Sequence, residues 1–245
     1  MSQQERVLIV ESPSLGDIDT GIRDGEHLHK LLAMVPIGEH APGRAVESVY
    51  RPFSTHERLM AILEHEAKAA SCLHVCGHGN SEGFGFTDKS VLRWDIFARV
   101  VLACAHQRIV VLAACNSDAL RPLVGGLAQV LTAAVGRWPM PRCVLTFFGR
   151  VTFADSLLAW GLFYRHLFAA LGKSKTQIAD CSARVIFNAL KSIKDSGLDV
   201  KICAAYWYDA QKKFVNISPW ARPHGPADLD VVAIEKGLPV PDMVL

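Results

Sequence analysis

Short apolar runs alternate along the chain with longer stretches in which apolar residues recur every three or four positions. "RVLIVE" (Arg6 to Glu11) is continuously apolar over a strand length, the pattern of a strand covered on both faces. "AVESVYR" (Ala45 to Arg51) is β-branched and predicts a second strand. "SCLHVCG" (Ser71 to Gly77), "RIVVLAAC" (Arg108 to Cys115), "RCVLTFFG" (Arg142 to Gly149) and "VKICAAYWY" (Val200 to Tyr208) predict four more. Between the third and fourth of the six runs, Glu82 to Trp94 alternates and carries a turn at Thr87 to Lys89, which reads as a hairpin.

The helical stretches fall between the strands. Leu28, Leu31, Leu32 and Val35 share one face of a helix over Glu26 to Val35. Ser54 and Glu57 form a capping box ahead of the stripe Leu59, Ile62, Leu63 and Ala67. Further helices are expected over Asp95 to His106 and near Ala119 to Val135. Two long ones follow: Thr152 with Asp155 caps the first and Gly172 ends it, and Ser174 with Gln177 caps the second and Gly197 ends it. The tail after Val215 holds Pro219, Pro223, Pro226, Pro239 and Pro241 and reads as irregular. Alternation of this kind predicts a three-layer α/β/α sandwich around a mostly parallel sheet. Residues 1–215 are expected to form the domain, with 216–245 a proline-rich extension on or near it. Active sites in such sheets gather where loops leave the carboxyl ends of the strands.

Composition narrows the function classes. The chain has 245 residues, half of them hydrophobic and a fifth charged, which suits one good-sized domain with a small appendage. A net charge of +2 gives no electrostatic case for nucleic acid or an acidic membrane surface. The longest apolar runs fall far short of the roughly 20 residues of a membrane helix. "MSQQERVLIVES" lacks a basic region followed by an apolar one, so no signal peptide is expected. Seven cysteines is an odd count, and several sit in strand-like runs. That reads as buried or reactive thiols in a reducing cytoplasm, not a disulfide framework.

Candidate chemistry concentrates in "LHVCGHGN" (Leu73 to Asn80) and the cysteine just before it: Cys72, His74, Cys76 and His78 fall two apart. Neighbours in such a row lie about 6.6 Å apart along a strand, so one zinc ion takes at most two of them. No second C-x-x-C or H-x-x-x-H supplies the rest, so neither a metal nor another cofactor is expected. Cys72, Cys76 and His74 read as core residues, since free cysteine behaves as a small apolar side chain. His78 fits that reading less well. It stands between Gly77 and Gly79 where the apolar run stops. Cys115 stands at the end of the next strand run, before "NSD". Taken alone, a cysteine there is more often structural. Paired with a histidine at a neighbouring strand end, it has what a thiolate nucleophile needs.

At these residues the chain resembles a family. "CGHG" and the later "VLAACNS" resemble the His-Gly and Ala-Cys motifs of caspase-like cysteine peptidases, closest to the bacterial CHAT-type branch of the caspase-hemoglobinase fold. "GFGFTDKSVLRW", "VTFADSLLAWGLFYRHLFAALGKSKTQIADCSARV" and "VLIVESPS" extend the resemblance over about residues 6–210. The resemblance implies a six-stranded sheet with its last strand antiparallel. It implies His78 as catalytic histidine, Cys115 as nucleophile, and the backbone N–H groups of Gly79 and Cys115 as oxyanion hole. It requires no third catalytic side chain. Members that cleave after basic residues often carry an acid two positions before the cysteine; here that position is Ala113. Asp17, Asp19, Asp24 and Glu82 are candidate pocket residues, or simply solvated. Asn80 and Asn116 flank the catalytic positions, to position substrate or to satisfy loop backbone groups.

The function implied is an endopeptidase acting on protein substrates, held inactive until a partner protein or small nucleotide-like signal activates it, in antiviral defence or cell death. No Gly-rich phosphate loop follows a strand, so a nucleotide site would be built from scattered loops such as Ser12 to Arg23 or the proline-rich tail. Two other classes remain open: a non-catalytic sensor or adaptor on the same fold, and a zinc or redox sensor using the Cys/His row.

Overall fold

The computed structural model describes residues 5–35, 46–80, 82–104, 108–114, 141–208 and 213–220. Its strands are β1 (Arg6–Ser12), β2 (Glu47–Pro52), β3 (Cys72–Gly79), β4 (Gly83–Gly85), β5 (Val91–Arg93), β6 (Ile109–Ala114), β7 (Cys143–Phe147), β8 (Ile202–Tyr208) and β9 (Lys213–Asn216). The order across the sheet is β2-β1-β3-β6-β7-β8-β9. β2, β1, β3, β6 and β7 run parallel, and β8 is antiparallel to β7.

The described sheet has nine strands, not the six expected. Its first six across are a mostly parallel set with the sixth reversed. Two additions account for the difference. β9 returns beside β8, and the β4–β5 hairpin pairs with the end of β3. The prolines that suggested an irregular tail begin only at Pro219, which leaves Phe214 and Val215 free to alternate as an edge strand. The chain stays packed beyond it: Ile217 is fully buried, and the Ser218 hydroxyl donates to the Ile202 carbonyl at 2.5 Å.

Helices α1 (Leu15–Thr20), α2 (Asp24–Leu32), α3 (His56–Glu66), α4 (Trp94–Ala103), α5 (Phe153–Ser174) and α6 (Ala183–Asp195) connect the strands. Side-chain alternation divides the core into two halves. Val7, Ile9, Cys72, Cys76, Val111 and Leu145 face α2, α5 and α6. Leu8, Val10, Leu73, Val75, Leu112 and Val144 face α3 and α4. That is the three-layer α/β/α sandwich. The helix expected near Ala119 to Val135 lies outside the described residues.

Several caps differ from expectation. Thr55, not Ser54, caps α3, accepting from the Arg58 N–H at 3.3 Å, because the capping residue must directly precede the first helical one. α5 starts after Thr152 as expected but runs through Gly172 and closes at Lys175, in the left-handed region at φ 53°. Leu171 is buried against the core, so packing carries the helix past the glycine. Ser174 therefore lies in the last turn and its hydroxyl bonds back to the Ala170 carbonyl at 3.1 Å. Ser182 precedes the next helix, and Gly197 follows its end at φ 80°.

The register is what positions the site. Glu11 lies opposite Cys76 and Ser12 opposite Gly77 across β1 and β3. Cys76 lies opposite Ala113 and Gly77 opposite Ala114 across β3 and β6. The carboxyl ends of three adjacent parallel strands are thus level. The hairpin closes over them, with His78 opposite Gly85 and Gly79 opposite Phe84. Phe84 is almost fully buried and stacks on Phe97 at 4.6 Å between ring centroids. Its ring edge sits where a side chain on Gly77 would be: a Cβ there would lie 2.5 Å from Cζ of Phe84. Among the described residues no helix is long and apolar enough to cross a membrane.

Gly77→Ala should lower stability by about 1–3 kcal/mol through this overpacking. Urea denaturation of the variant beside the parent checks it, and an unchanged midpoint would show that the Phe84 ring gives way freely.

Candidate functional site

The segment between β1 and α2 forms one wall of a cavity at the level strand ends. Ser14 caps α1 in a reciprocal box: its hydroxyl accepts from the Asp17 N–H at 3.1 Å, and its own N–H donates to Asp17 Oδ2 at 2.7 Å. α1 ends at Gly21 in the left-handed region (φ 71°), which lets the chain reverse into α2 at Asp24. The cavity enclosed has a volume of about 130 Å³. Glu11, Asp17, Asp24, His78 and Ser156 contribute polar groups to it, and Ile22, Phe147, Val151 and Phe153 contribute apolar ones.

His78 has the same strand parity as Cys72, His74 and Cys76, but lies beyond the covered part of the strand. Its side chain is 60% exposed, and Nε2 lies 2.6 Å from Oδ2 of Asp17. Partial burial pushes the Asp17 carboxyl up, but the bonds from His78 and Ser14 outweigh it and hold the group below the usual carboxylate range.

Two further carboxylates are held in the opposite direction. Glu11 is buried at the end of β1; Oε1 accepts from the Gly25 N–H at 3.1 Å and Oε2 from the Tyr50 hydroxyl at 2.7 Å. Burial still raises its pKa. Asp24 is raised to about 7, first by burial and then by the charge on Glu11, against a hydrogen bond from Ser156. The cavity therefore sets three carboxyl groups and His78 against an apolar lining.

The rest of the Cys/His row is core. Cys72, His74 and Cys76 are buried, and burial pushes both thiols well above their ordinary value. His74 Nδ1 lies 3.0 Å from the Tyr164 hydroxyl, its ring meets Trp160 edge-on, and burial lowers its pKa to about 3. Among the described residues no group of three or more His, Cys, Asp or Glu could hold a metal ion.

The other sequence candidates are scattered. Asp19 is exposed on α1 and Glu82 is exposed in the turn, and neither lines the cavity. Asn80 serves its own loop: Oδ1 accepts from the N–H groups of Glu82 and Gly83 at 2.8 and 3.0 Å, and its carbonyl accepts from Trp94 Nε1 at 2.7 Å. Gly79 pairs with Phe84 in the hairpin. Cys115 and Asn116 lie outside the described residues; β6 is described to Ala114, and Ala113 lines the cavity. Sequence reasoning missed Glu11, Ser14 and Ser156. Glu11 carried a signal, as an acid closing an otherwise apolar strand, and Ser156, inside a helix, carried none.

Comparison with known proteins adds little. No family model matches the chain, and no curated protein does. Among solved structures it is similar to an X-ray structure of an oxidoreductase from Corynebacterium diphtheriae, at 15% identity and a TM-score of 0.30, covering 51% of this chain and 76% of that one. A likeness that slight carries no argument about fold or function.

The raised Asp24 gives a stability test. The folded state binds a proton that the unfolded state has lost between pH 3.8 and about 7, so this carboxyl costs stability as pH rises through that window. Asp24→Asn should therefore stabilise the protein by about 1–3 kcal/mol at pH 8, with the gain vanishing near pH 3.8. Denaturant titrations at the two pH values check it; a gain independent of pH would contradict the burial of a charge.

Proposed function

We propose that this chain is a caspase-like cysteine endopeptidase with His78 as acid–base and Cys115 as nucleophile. The observation that carries the reading is the place of His78: exposed at the end of β3, at the mouth of a cavity, on the same sheet edge as the end of β6. Cys115 directly follows Ala114, whose partner across the sheet is Gly77, the residue before His78. In this reading the thiolate attacks a peptide carbonyl and the N–H groups of Gly79 and Cys115 receive the oxyanion. The molecule works in the cytoplasm on protein substrates, and a partner protein or small nucleotide-like signal releases it, in antiviral defence or cell death.

The acid absent at Ala113 has a spatial substitute. Glu11 and Asp24 reach the same cavity from β1 and α2, and Ala113 lines it with them. A cationic side chain with an aliphatic stem complements such a lining: the stem packs on Ile22 and Phe147, and the charge relieves two carboxylates that burial disfavours.

A second reading, a non-catalytic sensor on this fold, draws on a different observation. An open groove of about 550 Å³ runs along β2 and α2, lined by Arg23, His29, Lys30 and Arg51 against Glu26. Tyr50 stands between it and the cavity, with its hydroxyl on Glu11.

Treatment with a peptidyl ketone electrophile separates the two. The peptidase reading expects selective labelling of Cys115, lost in His78→Ala, and cleavage of a peptide library after basic residues. Equal labelling of several cysteines, with no new N-termini in the library by mass spectrometry, would favour the sensor.

A further inference from the structure

We propose that Asp17 is the positioning residue for His78, so that the working unit is a triad in the chain order Asp17, His78, Cys115. The proposal rests on the peptidase reading above and goes beyond the two-residue site that the sequence resemblance implied.

Asp17 Oδ2 lies 2.6 Å from His78 Nε2 and also accepts the Ser14 N–H at 2.7 Å. A carboxylate held below its usual range is ionised at neutral pH and has no proton to give. The proton in the 2.6 Å bond therefore belongs to Nε2. In the neutral ring Nδ1 then carries the lone pair, and Nδ1 is the base. A histidine exposed over 60% of its side chain has little packing to choose that tautomer or to fix the ring plane; Asp17 does both.

The surroundings support the assignment. α1 contains no buried residue, so apolar packing does not explain why it lies across the strand ends. Polar bonds do. The Ser14 box fixes the Asp17 carboxylate from its own backbone. Just upstream, Ser12 Oγ accepts the Thr87 N–H at 3.0 Å, and the Thr87 hydroxyl donates to the Pro13 carbonyl at 2.6 Å. Thr87 follows β4, the strand that pairs with His78 itself. Both partners of the 2.6 Å bond are thus tied to one hairpin, which holds their separation.

The cycle balances with Asp17 ionised throughout. The Cys115 thiol gives its proton to Nδ1, and the thiolate forms a C–S bond to the substrate carbonyl carbon. The C–N bond breaks, and the Nδ1 proton leaves with the amine. Water then gives a proton to Nδ1 as its oxygen bonds to the thioester carbon. The C–S bond breaks, and that proton returns to the sulfur. In each half the imidazolium forms beside Asp17, which stabilises the charge.

Two measurements on the full chain test the proposal. In the first, Asp17→Asn, Asp17→Glu and Asp19→Asn are compared with the parent on a fluorogenic peptide. Asp17→Asn should lower kcat by roughly 100-fold or more with KM nearly unchanged, since the amide can donate to Nε2 and select the wrong tautomer. Asp17→Glu should recover part of the loss, and Asp19→Asn, on the exposed side of the same helix, should match the parent. In the second, a long-range ¹H–¹⁵N spectrum of histidine-labelled protein reads the ring directly, with the His78 signals assigned from His78→Gln. The parent should show Nε2–H, and Asp17→Asn should move the population toward Nδ1–H. An active parent with Asp17→Asn at parental kcat, or an Nδ1–H ring in the parent, would overturn the proposal. A parent with no turnover and no Cys115 labelling would instead overturn the peptidase reading, and the spectrum would still decide whether Asp17 sets the His78 ring.

Discussion

Parallel backbone pairing among β1, β3 and β6 is the constraint on which the site depends. Parallel strands share a direction, so a common register brings their carboxyl ends to one edge. Glu11, Gly77 and Ala114 end their runs within a residue of one another across that edge. A one-residue slip of β3 would turn His78 toward the α3 and α4 face and bring Leu73 and Val75 against α5. The register is defended by size as well as polarity. Phe84 occupies the space over Gly77, and the hairpin that carries it pairs with His78 and Gly79.

The strand ends also gather charge that the core rejects. Three carboxylates converge on one cavity, and they are not equivalent. Asp17 has a histidine and a helix cap to hold its charge, whereas Glu11 and Asp24 are raised by burial and, for Asp24, by each other's proximity. A fold selected for stability alone would not place them so. The contrast with His74 is instructive. It has the same residue type and strand face as His78, but burial leaves it neutral, bonded to Tyr164 and enclosed by aromatic rings. Four residues along one strand separate a packing histidine from one with access to solvent and a carboxylate.

Much of this organisation was legible in the chain. The continuous apolar runs located β1, β3, β6, β7 and β8, since strands covered on both faces have no polar side to show. The break of the third run at Gly77 marked His78 as different from the other members of its row. The helix ends were less legible: a capping box can be written one residue off, as at Ser54 and Thr55, and Gly172 reads as a stop although buried packing continues the helix through it. Nine strands stand where six were expected because the alternating hairpin of Glu82 to Trp94 joins the sheet through β3, and because the short edge strand β9 carries little periodic signal.

The sequence by itself determined the layers, the strand directions implied by alternation with helices, and the exposure of His78, because these follow from local periodicity and from where an apolar run ends. Only the tertiary structure decided the company His78 keeps. Asp17, Asp19, Asp24 and Glu82 look alike as acids in loops, and nothing local ranks them. The turn at Gly21 and the cap at Ser14 aim Asp17 at the imidazole and bring Asp24 into the cavity, while Asp19 and Glu82 face water. Distances between residues far apart in the chain are set by packing, and charge environment follows distance and burial, which no short stretch of sequence contains.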